Sequence, residues 1–177
     1  MRNLLLFLCL LLSGCVAPES SYLDQNRTPR QIIQEIYQTP RPDNSVFYND
    51  NKRPYYYTDN LIGVIEKAQQ CYEEAHGMPH LEFAFIATGQ DPYITDLDIF
   101  ENHIKEYKTR ALFDVSFKNN GVPESFGYYL KKTSQGWRIY DVDYDGPDNV
   151  SFESIRMRDA LGALCEGDNT FQSVIVR

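Results

Sequence analysis

From Ala111 onward the hydrophobic period of this chain shortens to two residues, and that change constrains the fold more than any other feature of the sequence. Ala111, Phe113, Val115 and Phe117 alternate with Leu112, Asp114 and Ser116. A strand with one buried face produces this pattern. Asn119-Asn120-Gly121 begins a connection, Phe126 to Lys132 supplies the next strand, Ser134-Gln135-Gly136 makes a short turn, and Trp137 to Tyr144 forms the last strand. Connections this short join antiparallel neighbours. An earlier apolar run, Leu81 to Ala87, is a further strand candidate, and the QDPYITD stretch after it reads as a turn-rich connection.

Helical spacing dominates before and after the meander. Thr28-Pro29-Arg30-Gln31 has capping-box spacing with proline at the first helical position, and Ile32, Ile33, Ile36 and Tyr37 share one face. The segment from Arg41 to Tyr57, ending in RPYYYTDN, reads as a loop. Thr58 or Asp59 then caps a longer helix with Leu61, Val64, Ile65, Ala68, Cys71 and Tyr72 on its apolar side, stopped at His76-Gly77-Met78-Pro79. A final helix is expected from about Ser151 to Cys165, with Met157, Ala160, Leu161 and Leu164 inward. Helices followed by a strand meander predict an α+β domain: N-terminal helices packed on a curved antiparallel sheet of about four strands, then a C-terminal helix.

The first residues carry a different signal. Arg2 precedes an unbroken apolar run from Leu4 to Leu12, far shorter than the roughly 20 residues needed to cross a bilayer. The Leu12-Ser13-Gly14-Cys15 sequence that follows looks like the lipobox of bacterial lipoproteins. That resemblance implies cleavage before Cys15, lipidation of its thiol, and, with Val16 rather than aspartate next, an outer-membrane address on the periplasmic face. The expected organisation is a signal peptide over 1–14, a lipidated tether over 15–27, and one α+β domain over 28–177. The net charge of −8 disfavours nucleic acid and anionic lipid headgroups as partners. Thirteen tyrosines against one tryptophan suit partly wet interfaces.

With Cys9 in the signal and Cys15 as the lipid site, Cys71 and Cys165 remain. Both lie on the apolar sides of expected helices, so they form either a disulfide or two buried thiols.

Asp141, Asp143 and Asp145 precede Gly146 at the spacing of a calcium loop, but the twelfth position is Phe152 and Glu153 arrives one residue late. The same residues also suit a strand end: Tyr140, Val142 and Tyr144 on one face, the three aspartates on the other, Asp-Gly turning the chain, Ser151 capping the next helix and Glu153 in its first turn. They stand as a weak calcium candidate only, and no other metal or cofactor is expected. His76 and His80 flank Gly77 and Pro79 and cannot share a helix face as a zinc pair would, and His103 stands apart. No nucleophile elbow, phosphate loop or metalloprotease motif occurs.

The segments YYYTDNLIGVIEKA, QDPYITD, ALFDVSF and GWRIYDVDYDG resemble a bacterial domain family of unknown function that includes the YbjP-type small lipoproteins. The resemblance covers about residues 30 to 165. Its Trp-x-Ile-x-Asp strand is also similar to those of nuclear-transport-factor-2-like and cystatin-like folds. It implies a cone-shaped α+β domain in which Asp141 closes the last strand.

Two functional classes follow. The first is a non-catalytic module, anchored by lipid, that docks on an envelope assembly such as an outer-membrane channel, efflux or secretion machine, or that acts as an immunity protein. The second is a pocket enzyme using acid–base chemistry, with Asp114 and Tyr128 or Tyr129 as its groups. The lack of a catalytic motif favours the first.

Overall fold

A computed structural model of the chain describes residues 25–38, 49–77, 93–102, 108–145 and 155–166. Three helices, α1 (Pro29–Tyr37), α2 (Arg53–Tyr56) and α3 (Asp59–His76), precede the strands β1 (Ile94–Asn102), β2 (Arg110–Asn119), β3 (Val122–Thr133), β4 (Gly136–Asp145) and the two-residue β5 (Ile155–Arg156). Helix α4 (Met157–Cys165) follows. The sheet is an antiparallel meander in the order β1-β2-β3-β4-β5. N-terminal helices therefore pack on a sheet with four long strands, and a C-terminal helix follows, as the periodicity predicts.

Local chemistry explains the helix boundaries. Thr28 and Gln31 close a reciprocal capping box at the start of α1, and Ile32, Ile33 and Ile36 are buried. The three isoleucines each contribute on the order of 1.5 to 3 kcal/mol by leaving water. Thr58 caps α3, and Gly77 ends it with the positive φ that glycine adopts without strain. In the tight hairpin between β2 and β3, Asn119 faces Val122, and Asn120 and Gly121 both have positive φ. Asn-Gly is the dipeptide that supports this type of two-residue turn.

Phe113, Val115 and Phe117 from β2, Phe126, Tyr128 and Leu130 from β3, and Ile139 and Val142 from β4 form the inner face of the sheet. They pack with Leu61, Ile65, Ala68 and Tyr72 of α3 and with Met157 and Leu161 of α4.

Three expectations need correction. First, β1 falls in a region read as turn and connection. Its acidic residues Asp96 and Asp98 interrupt the apolar pattern, and the register shifts between Thr95 and Asp98 where Asp96 has positive φ. Second, RPYYYTDN is ordered: α2 is followed by a parallel bridge from Tyr57 to Ile139, and the Thr58 amide donates to the Ile139 carbonyl at 2.9 Å. Third, α4 begins at Met157, so Ser151 is not its cap, and Ile155–Arg156 instead pair with β4. The Leu81 to Ala87 strand candidate lies outside the described residues.

Buried arginines explain the second correction. The Arg27 guanidinium donates to Glu35 and to the Tyr55 carbonyl and lies 4.8 Å from the Tyr56 ring centre. Arg138 donates to the carbonyls of Pro54 (2.7 Å) and Trp137 (2.7 Å). The last carbonyls of a one-turn helix lack helical partners, and here two arginines from distant parts of the chain satisfy them. Tyr56 donates to Glu35 at 2.9 Å, and Arg53 bonds Gln69 and Asp50. Arg27, placed by the sequence reading at the end of the tether, is thus part of the domain, with 5% of its surface exposed.

Candidate functional site

Asp141 and Asp143 of β4 come to the outer face of the sheet. Asp141 pairs with Tyr129, and Asp143 with Gly127, whose row also holds Asp114. A β-carbon at Gly127 would lie 3.2 Å from that of Asp143, so glycine lets the strand beneath Asp143 pass closely. The Asp141 carboxylate accepts from the Val142 amide (3.0 Å), and Asp143 accepts from the Tyr129 hydroxyl (3.4 Å).

The facing pattern differs from strict alternation. Between the pairs Tyr129–Asp141 and Leu130–Ile139 the register shifts, making Tyr140 the extra residue of a β-bulge. Ile139 and Val142 both reach the core as a result, and the Tyr140 ring meets that of Tyr129 at 6.1 Å. Among the described residues no three His, Cys, Asp or Glu side chains are grouped to hold a metal ion. The side chain of Asp145 and the residues from Gly146 to Ser154 lie outside them, as do His80 and His103. His76 ends α3, and its ring lies tilted against that of Tyr72.

The acid–base candidates are divided by the sheet. Asp114 is on the outer face, where Asn102 Nδ2 donates to its carboxylate at 3.3 Å. Tyr128 is on the inner face, fully buried, with its hydroxyl 2.8 Å from that of Tyr37 and its ring edge-on to the Tyr37 ring. Burial pushes the Tyr128 phenol well above its usual range, and the Tyr37 hydrogen bond offsets this only in part. Asp114 and Tyr128 therefore cannot serve one substrate, whereas Tyr129 shares the face of Asp114.

Cys71 of α3 and Cys165 of α4 are joined in the structure, with Cα atoms 5.1 Å apart and 94 residues of separation along the chain. Cys15 and the first 24 residues lie outside the described residues. No helix among the described residues is long and apolar enough to cross a membrane.

Sequence reasoning missed one surface altogether. The exposed large apolar side chains of the described residues are Tyr93 (68%), Phe100 (63%), Val122 (52%) and Leu97 (41%). All lie on β1, just before it, or at the β2–β3 turn beside it. The Asn120 amide donates to the Tyr93 carbonyl, which ties the start of β1 to that turn. On the outer face Phe100 lies across from Asp114, and Asp98 lies across from Ser116. Lys118 on the same face is held by Asp96 at 2.7 Å, and this partner raises its pKa. The available signal was the spacing of Leu97 and Phe100 among acids, which does not resemble a half-buried strand.

The chain arrives at the opposite corner. Gln25 lies against Gly136 in the β3–β4 turn, where an added β-carbon would come within 2.6 Å of the Gln25 carbonyl oxygen. Gly136 also has positive φ, so a side chain is disfavoured there twice over.

No family model matches the chain. No curated protein matches it either. Among solved structures, a phospholipid-binding protein from Ralstonia solanacearum, determined in complex with a phospholipid, is similar over 81% of this chain and 75% of its own, at 12% identity and a TM-score of 0.32.

Proposed function

We propose that this protein is a lipid-anchored docking module of the bacterial envelope, held at the periplasmic face of the outer membrane through Cys15 and acting by binding rather than by turnover. The observation that carries this reading is an exposed apolar edge strand set apart from the point where the chain arrives. The chain arrives at the β3–β4 turn, and the exposed apolar residues run along β1, from Tyr93 and Val122 at the far end to Phe100, level with the middle of β3.

The twelve residues of β3 alone span roughly 36 Å between those two ends at about 3.3 Å per residue. Ten residues from Cys15 to Gln25, behaving as a flexible coil, cover roughly 17 Å. An anchor at Cys15 would thus keep the Gly136 end near the membrane while the β1 corner can face away from it, toward a protein partner. Confinement at the membrane raises effective concentration, so a weak interface suffices. The Leu12-Ser13-Gly14-Cys15 sequence supports the anchored reading, and the separation of Asp114 from Tyr128 leaves Asp114 with Tyr129 as the pair for the pocket enzyme.

Intact mass of the membrane-extracted protein tests the anchor: the expected chain begins at Cys15 with acyl mass added, and an unmodified Cys15 refutes it. Function is tested by exporting the domain without its anchor. Loss of crosslinking to envelope partners is the expected result. Full complementation by the soluble domain, with activity abolished by Tyr129→Phe in a folded protein, would favour the enzyme instead.

A further inference from the structure

We propose that the Phe100 corner of β1 and β2 binds an arginine-bearing segment of the partner protein, an inference that rests on the docking reading and names the surface and its chemistry. Phe100 is the centre of this patch, on the edge strand and level with the middle of β3. Its ring is 63% exposed on the outer face, with exposed Asp114 directly across on β2 and exposed Asp98 two residues before it on the same face. Cross-strand neighbours on one face have β-carbons about 5 Å apart and residues two apart on one strand about 7 Å, so Asp114 lies beside the ring and Asp98 follows along the strand.

A guanidinium suits this arrangement better than an ammonium. It stacks flat on an aromatic face while its edge pairs with a carboxylate, and Asn102 already fixes one oxygen of Asp114, which orients the other. No salt bridge among the described residues engages Asp98 or Asp114. Lys118 is committed to Asp96, and Arg30 donates to the Ile99 carbonyl and lies over the ring of Phe113, on the inner face. Among the described residues this part of the sheet therefore presents Asp98 and Asp114 around an apolar centre, with its cation Lys118 engaged by Asp96. That charge, in a chain of net −8, disfavours both a second copy and an anionic lipid surface as the occupant.

The test uses the intact protein extracted in a non-ionic detergent and a labelled ten-residue peptide of alternating arginine and leucine, followed by fluorescence anisotropy. A matched peptide with glutamate in place of arginine is the comparison. The arginine peptide should bind at least about tenfold more tightly than the glutamate peptide. Phe100→Ala, and separately Asp98→Asn with Asp114→Asn, should each weaken it by about fivefold to tenfold, in line with one stacked cation and its ion pairs. Glu66→Gln with Glu73→Gln on the exposed side of α3 removes equal charge and should leave binding unchanged. All these side chains are exposed, and an unchanged thermal melt checks that each variant folds.

Binding unaffected by Phe100→Ala, or weakened equally by the α3 pair, overturns the proposal in favour of diffuse charge attraction. A dimer in sedimentation that Phe100→Ala abolishes would assign the corner to a second copy. Flotation with phosphatidylglycerol vesicles that the same variant abolishes would assign it to lipid. Failure here leaves the Cys15 mass and the anchor dependence untouched, so it is distinguishable from failure of the docking reading.

Discussion

Arg27, Arg138 and Tyr56 near the Gly136 end and Asp98, Phe100 and Asp114 at the β1 corner are charged and aromatic residues in opposite circumstances. The first group is buried, and its hydrogen bonds run to Glu35 and to the carbonyls of Pro54, Tyr55 and Trp137. The second is open to water, and of its three side chains Asp114 accepts a hydrogen bond from Asn102. A desolvated polar group is costly unless satisfied, so the first network can hold the fold only as a whole. An exposed group has little effect on the fold and retains its bonding capacity for a partner.

Breaking the dry network gives the largest expected effect. Arg27→Met leaves the Glu35 carboxylate without its cation and removes a donor from the Tyr55 carbonyl, and should cost about 3 kcal/mol or more in urea unfolding, whereas Phe100→Ala should change stability by less than about 0.5 kcal/mol. Equal losses would erase the contrast between the two regions. Reduction of the Cys71–Cys165 bridge comes next. By chain entropy a loop of this length contributes at most roughly 4 to 5 kcal/mol, and about 2 to 4 is usual. Unfolding with and without reductant measures it, and two separately alkylated cysteine peptides in a non-reduced digest would rule the bridge out.

Alkaline pH sharpens the comparison further. Burial, and for Tyr56 also its bond to Glu35, raises the folded-state pKa of Tyr56 and Tyr128 above the ordinary value of 10.0. The folded state then holds its protons more tightly than the unfolded state. Stability is fully present below about pH 10 and falls as pH rises beyond it. Ultraviolet titration should show these two phenols ionising only with unfolding, and Tyr128→Phe should reduce the pH slope. At neutral pH that substitution should cost only about 1 kcal/mol, since it removes one hydrogen bond to Tyr37 and leaves the ring in place. Lys118→Ala at the wet corner should leave the melt unchanged within error, because its pairing with Asp96 is solvent-screened.

Where structure is set by neighbours in sequence, the chain is readable. Thr28 and Gln31 cap a helix from three residues apart, and Asn120-Gly121 needs only its own backbone to make a turn. Where distant contacts decide, it is not. RPYYYTDN lacks periodicity and is ordered by Arg27 and Arg138. The bulge at Tyr140 follows from how β4 registers on β3, and it alone lets Ile139 and Val142 share the core. β1 is acidic because its outer side stays wet. Asp141 and Asp143 lie on the face away from Val142 as the alternation predicts, but the exposed surface around Phe100 follows only from the pairing of β1 with β2.

The covalent link between α3 and α4 has a mechanical meaning. All five strands fall between Cys71 and Cys165, so with the bridge intact the whole sheet lies inside one closed ring. A pull arriving through the N-terminus would peel away Gln25 to Thr28 and then α1, and could unravel the chain only as far as Cys71. A single protease cut inside the ring would likewise leave both fragments attached. Were the domain leashed at its N-terminal end, as proposed, the sheet that carries β1 would thereby be shielded from both extension and loss.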